Sequence, residues 1–294
     1  MTRWEDHSFS RRLLLGAAAS LCFPGMAWTE QPSMPGTIRF GLTPVFLISD
    51  LELLDRLKSY LEKTTGHPVL LIMRRTYQEI TALLVSGQLD AAWICGYPFV
   101  AHRAELQLVA VPLWQGRPQY RSYLIVDRGR EAGVLADLKG DIHAFSDPDS
   151  NSGFLVTRAM LAEAGLRPEK HFSRSFFTYG HRNVIRAVGS GLASSGSVDG
   201  YVYDVVANLE PNLTTNTRIL RTSELLGFPP IAAPRNAVDD LRLKRLTDAL
   251  LGMSEDESGR KVLALLQLDG FVSGSPDMFD SIAAKMALVA SAGG

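Results

Sequence analysis

From residue 38 onward the chain alternates short apolar runs with stretches of helical spacing, which restricts it to a layered α/β architecture. Ile38-Arg39-Phe40-Gly41-Leu42 reads as a strand. Leu53, Leu54, Leu57, Tyr60 and Leu61 then fall at helical spacing, and Gly66 supplies the stop. Val69-Leu70-Leu71-Ile72-Met73 is a continuous apolar run, as expected of a strand buried on both faces. Thr76-Tyr77-Gln78-Glu79 has the capping-box pattern and opens a helix to Val85, after which Ala91-Ala92-Trp93-Ile94 makes a third strand. The order βαβαβ predicts a parallel, doubly wound sheet.

A second unit of the same kind follows. Tyr123-Leu124-Ile125-Val126, Ile142-His143-Ala144-Phe145, Phe176-Phe177-Thr178 and Val198-Asp199-Gly200-Tyr201 read as short strands, with helical segments at about 154–164 and 182–192. The joints around Asp90 and Asp199 both leave a helix through Gly-x-x-Asp, which suggests two analogous lobes, although this is also a common turn composition. After about residue 220 the pattern is mostly helical, near 238–251, 257–268 and 277–290, and Pro229-Pro230 and Pro234 break any helix between Leu226 and Asn236. No low-complexity linker follows residue 37, so short crossing strands should join the lobes and leave a ligand cleft between them. A formal net charge of −1 gives no field that would recruit nucleic acid or a membrane surface, so any bound anion must be held locally.

The N-terminus reads as an export signal. Ser10-Arg11-Arg12 precedes an uncharged apolar run from Leu13 to Phe23 and then Pro24-Gly25-Met26-Ala27. The run is short of the roughly 20 residues a membrane span needs, and the paired arginines resemble the twin-arginine signal. Residues 1–27 would then be removed and the mature chain, with no membrane span, would begin near Trp28 in the periplasm. A lipid anchor on Cys22 is disfavoured by the bulky Leu21 before it. Without Cys22 the mature chain keeps Cys95 alone and can form no internal disulfide.

In α/β sheets ligands sit beyond the carboxyl ends of strands, at helix N-termini. After the strand ending at Phe145 comes Ser146-Asp147-Pro148-Asp149-Ser150-Asn151-Ser152-Gly153-Phe154 and then an apolar helix. Small hydroxyl and amide side chains with a Gly at a helix start can cradle an anion without net positive charge, or can simply cap the helix. Asp147 and Asp149 suit an anion only if they point away or hold the backbone in shape.

Phe145 to Leu155 resembles the Ser-x-Ser-Gly signature of the PhnD-like periplasmic phosphonate, phosphite and phosphate binding proteins. Further similarity lies in Gly41-Leu42-Thr43-Pro44, Asp90 to Val100, Gly180-His181, Val198 to Asp204 and Leu220-Arg221-Thr222-Ser223-Glu224, in order over about residues 38–236. The resemblance implies a type II periplasmic binding fold, with one lobe from 38–114 plus 222–294 and the other from 115–221. It implies a solute-binding protein, without cofactor, that captures a small oxyanion by lobe closure and presents it to an ABC permease. Ser150, Asn151 and Ser152 would grip the oxyanion from one lobe, and Tyr97 and the Thr43 loop would close from the other. His181 resembles the ligand-facing histidine, donating a hydrogen bond and titrating near neutral pH. Asp204, with Tyr201 and Tyr203 beside it, would accept from a protonated oxygen or an ammonium group. Helix capping by His181 and Asp204, and core packing by the tyrosines, are the ordinary alternatives. Asn151 departs from the family, which often has Thr there.

Cys95 closes the strand at 91–94, where cleft residues lie. A buried cysteine is usually a small hydrophobe, but a thiolate also binds thiophilic centres. In this the chain is similar to arsenite-sensing binding proteins of the AioX type, which use one cleft cysteine and report to a membrane sensor histidine kinase. Some transferase-type enzymes, such as porphobilinogen deaminase, resemble the same bilobal fold. The sequence holds no Walker A loop, G-x-S-x-G elbow or H-E-x-x-H, so a binding protein is expected and not an enzyme.

Overall fold

The computed structural model describes residues 36–44 and 51–293. The export signal read at 1–27 and the Val45-Phe46-Leu47 stretch lie outside them. Its strands are β1 (Ile38–Leu42), β2 (Val69–Met73), β3 (Ala91–Trp93), β4 (Leu106–Leu113), β5 (Gln119–Tyr120), β6 (Ser122–Asp127), β7 (Ile142–Phe145), β8 (Arg174–Phe177), β9 (Ser195–Asp199), β10 (Thr217–Thr222), β11 (Leu226–Gly227), β12 (Ile231–Pro234) and β13 (Gly270–Val272). They form one sheet in the order β13-β4-β12-β3-β1-β2, a second in the order β10-β6-β9-β7-β8, and a two-stranded ribbon of β5 and β11.

Both sheets are mixed, which corrects the expectation of a purely parallel arrangement. β1 runs parallel to β2 and β3, and β7 runs parallel to β8 and β9. β12, however, is antiparallel to both β3 and β4, and β6 is antiparallel to β9 and β10. The reason is the double crossing. The chain leaves the first sheet at the end of β4 and returns at that same end, so β12 must run backwards between its neighbours. The two crossing segments pair with each other, Tyr120 opposite Leu226 and Gln119 opposite Gly227. Pro229 and Pro230 cannot donate, but their carbonyls accept from the Trp93 indole at 2.9 Å and the Ile94 N–H at 3.0 Å.

Several elements differ from the sequence reading. β9 spans Ser195–Asp199, not 198–201; Gly200 and Tyr201 instead open a helix, Gly200–Leu209, because the Asp199 carboxylate accepts from the Val202 N–H at 3.2 Å and caps it. β4 has no counterpart in the reading. The region after 220 does contain helices Leu241–Leu251, Glu257–Leu266 and Asp280–Ser291, but β12 and β13 also come from it to complete the first sheet. Helix Asp280–Ser291 packs against both Gly96–Ala101, after β3, and Val156–Glu163, after β7. The capping box at Thr76 is present as expected, opening helix Tyr77–Val85.

Candidate functional site

The carboxyl ends of β1, β2 and β3 face those of β7, β8 and β9, and the turns that follow them meet. Ser150 caps the segment after β7, its hydroxyl accepting from the Gly153 N–H at 3.0 Å. The first turn, Asn151–Leu155, is a π-turn, with the Leu155 N–H bonded to the Ser150 carbonyl at 3.0 Å, before the α-helix Val156–Glu163 begins. Two further bonds pin the turn: Ser146 N–H to the Gly153 carbonyl at 3.1 Å, and the Ser122 hydroxyl to the Ser152 carbonyl at 2.6 Å. Only glycine fits at 153, since a Cβ there would lie 1.8 Å from the Ser146 Oγ and 2.9 Å from the His181 ring.

Ser150, Asn151 and Ser152 are all buried. The Asn151 N–H donates across the interface to the Cys95 Sγ at 3.2 Å, and its Nδ2 donates to the hydroxyl of Tyr120 on the crossing ribbon at 3.1 Å. The Ser152 hydroxyl donates to the Asp199 Oδ2 at 3.5 Å. His181 Nδ1 accepts from the Asp199 N–H at 3.0 Å, so the neutral ring carries its proton on Nε2, which meets the hydroxyl of Tyr77 at 3.2 Å. Asp147 is held by backbone donors beside the cluster. One carboxylate oxygen accepts from the Asp149 N–H at 2.8 Å, and the other accepts from the Tyr77 N–H at 3.3 Å, adding a cap to the opposing helix.

Burial sets the electrostatics of this cluster. It pushes His181 down to about 3, which corrects the expectation of a group titrating near neutral pH; the ring stays an uncharged donor–acceptor. It pushes the Cys95 thiol up to about 12, outweighing the N–H groups of Asn151 and Tyr97, so the sulfur is a neutral thiol. It raises Asp199 to about 7 against the opposing N–H groups of Val202 and Tyr201. The groups that converge here are therefore backbone N–H donors, hydroxyls, an amide, a neutral imidazole and one carboxyl on the edge of ionisation. An anion would meet them without a formal positive charge, and each hydrogen bond to a charged partner in such surroundings is worth about 1.5–3 kcal/mol.

The structure thus brings together Ser150, Asn151, Ser152, Cys95 and His181. Thr43 is buried at the end of β1, where its hydroxyl is bonded to the Trp93 carbonyl at 3.0 Å. Tyr97 is half-buried, its phenol pushed up by burial and by the carboxylate of Asp149 across the interface. Tyr201 instead ties the two halves together elsewhere, donating to the Leu266 carbonyl at 2.6 Å and packing on Trp114. Tyr203 bonds Thr217 at 2.9 Å, and Asp204 accepts from the Tyr123 hydroxyl at 3.0 Å, so no described hydrogen bond joins either residue to the cluster. Tyr77, Tyr120 and Asp199 were not singled out as site residues from the sequence. Tyr77 carried a usable signal, the first helical position of a capping box just after a strand. Tyr120 carried none, because only the crossing of the two connections brings it here.

Residues 40–279 match the sequence model of a family described as the periplasmic substrate-binding protein of a phosphonate ABC transporter. A curated relative, the phosphate-import protein PhnD of Mycolicibacterium smegmatis, is 29% identical over 182 residues, covering 57% of this chain and 56% of that protein. The chain thus matches little more than half the length of that relative. Two solved structures share the fold. A binding-protein component of an ABC phosphonate transporter from Pseudomonas aeruginosa has a TM-score of 0.79 at 21% identity, covering 87% of each chain. PhnD1 from Prochlorococcus marinus, in complex with methylphosphonate, has a TM-score of 0.75 at 20% identity, covering 86% of this chain and 97% of its own. The architecture is accordingly the two-lobed α/β fold of type II periplasmic binding proteins.

Proposed function

Because this chain belongs to the family of periplasmic substrate-binding proteins of phosphonate ABC transporters, we propose that it captures a small phosphorus oxyanion, of the phosphonate, phosphite or phosphate class, between lobes 38–114 plus 222–294 and 115–221. The closed form is then presented to an ABC permease, and residues 1–27 direct export to the periplasm by the twin-arginine route. The observation that carries this reading is the meeting of buried neutral donors from both lobes at the Ser150–Ser152 turn, where the Asn151 N–H is spanned from the opposite lobe by the Cys95 sulfur.

Capture follows from these contacts. In the open form the turn at Asn151 exposes its N–H groups, the Ser150 and Ser152 hydroxyls and the positive end of a helix dipole to solvent. An oxyanion docks there first and takes the Asn151 N–H that Cys95 otherwise occupies. Tyr77, on the opposing helix, then swings in with its hydroxyl on His181, and Tyr97 and the Thr43 turn complete the wall. The ligand favours closure only by the contacts it gains from both lobes at once. Replacing Ser152 by Ala removes the hydroxyl that bonds the Asp199 carboxyl and so loosens the turn, and is expected to weaken binding by about 1.5–3 kcal/mol in a calorimetric titration.

The direct test is thermal unfolding of the chain from Trp28 onward against phosphate, phosphite, methylphosphonate, sulfate and arsenite, with Cys95→Ser alongside. A ligand at about 100 times its Kd adds about 2.7 kcal/mol, a shift of several degrees. The expected result is that a phosphorus oxyanion raises the transition of both proteins. A shift by arsenite alone, absent from Cys95→Ser, would replace this reading with a thiol-based arsenite sensor.

A further inference from the structure

Within the cluster two buried side-chain oxygens have no hydrogen-bond partner among the described residues, the hydroxyl of Ser146, which can turn to donate or accept, and the amide oxygen of Asn151, which can only accept and lies on a residue with no exposed surface. Asn151 Nδ2 donates to the Tyr120 hydroxyl, the Tyr120 hydroxyl lies against that of Ser152, and the Ser152 hydroxyl donates to Asp199. Asp199 also accepts from the N–H groups of Val202 and Tyr201. Asn151 thus spends its amide nitrogen on Tyr120, and its oxygen is left over beside the N–H that we assign to the ligand.

Resting on the oxyanion reading above, we propose that Asn151 Oδ1 reads a hydrogen on the ligand's head group. The site then takes tetrahedral oxyanions that carry a P–OH, such as a singly protonated phosphonate or phosphate. It rejects anions of the same shape that carry none, namely sulfate and the sulfonates. An oxygen of a fully ionised head group placed against Oδ1 sets acceptor against acceptor and leaves the amide unsatisfied. Sites built around a substrate hydroxyl discriminate strongly against analogues that lack it. A threonine at 151 would lose this selectivity, because a hydroxyl rotates to accept from P–OH or to donate to an ionised oxygen.

The test is calorimetric titration at mildly acidic pH with methylphosphonate, which keeps one hydrogen there, and methanesulfonate, which keeps none. Wild type, Asn151→Thr and Asn151→Ala are compared, with melting curves to establish that each is folded. Wild type is expected to prefer methylphosphonate on the order of 100-fold or more, and Asn151→Thr to bind methylphosphonate while the preference falls at least about tenfold, chiefly through a gain for the sulfonate. Asn151→Ala should also lower the ratio, through loss of methylphosphonate affinity. A wild-type protein that binds both probes equally, or a preference that persists in both variants, would overturn the role of Asn151 and leave the oxyanion reading intact. Failure of wild type to bind either probe, phosphate or phosphite would overturn both.

Discussion

His143 and His181 are both buried as neutral imidazoles, and both are pushed down to about 3 by desolvation. His143 lies in β7 between the hydroxyls of Ser195 and Ser197, each at 2.8 Å, with its ring stacked on Phe172. In the unfolded chain each ring takes up a proton near its ordinary value of 6.5, while the native state resists until about 3. Stability is therefore lost as pH falls through this window, by up to about 1.4 kcal/mol per pH unit for each ring. Asp199 works in the opposite sense, since it is raised from 3.8 to about 7 and its contribution declines as pH rises between those values. Among these three groups, the two rings outweigh the one carboxyl and leave a loss towards acid. Replacing His143 with Gln is expected to lower the melting temperature at neutral pH but to flatten its fall below pH 6.5. An unchanged slope would mean that the ring is protonated in the native state. The two Gly-x-x-Asp joints show where residue-level reading stops. Asp90 is paired with Arg39 at 3.1 Å and Arg242 at 3.4 Å, whereas Asp199 is sealed against His181 and Ser152. The sequence pattern is the same in both, but only Gly87 leaves a helix, in a left-handed turn, whereas Gly196 lies inside β9, which corrects the expectation of two like joints; partners from distant elements decide which aspartate becomes part of a site.

At the scale of elements, the site consists of two helix starts facing each other. The Tyr77 start was legible because a capping box is a local device, written within four residues. The Ser150 start was legible as a cap, but its π-turn was not, because that turn depends on Ser146 and Ser122 holding carbonyls from outside the helix. Helix Gly200–Leu209 was hidden by the strand-like run Tyr201-Val202-Tyr203, whose preference is overridden once Asp199 caps it. The glycine at 153 is the weak point of the cradle. Gly153→Ala forces a methyl into Ser146 and His181, and is expected to cost about 1–3 kcal/mol of stability by overpacking and to abolish oxyanion binding in the same calorimetric assay. A folded, stable variant that still binds would show that the turn is not the anion's seat.

Over the whole molecule, the alternation of strands and helices was enough to specify two α/β halves, because each βα unit leaves its own periodic trace. The reversed strands β6 and β12 were not readable, since their direction follows from the double crossing and not from any local pattern. That crossing also bears on the proposed closure. The ribbon of β5 and β11, packed by Tyr120, Tyr201 and Phe228, joins the halves on one side, and the Tyr120 hydroxyl extends from it into the cluster. Bending at the ribbon would separate Cys95 and Tyr77 from Asn151 and His181 without disturbing either sheet, and a ligand bound to both sides would hold it shut. The central claim, that an oxyanion is captured by this closure, is tested most directly by small-angle X-ray scattering of the chain from Trp28 onward, with and without saturating methylphosphonate. The account predicts a larger radius of gyration without ligand and, with it, a fall towards about 18 Å, the value for a compact unit of this size. A radius that does not change on saturation, under conditions where calorimetry shows binding, would contradict it.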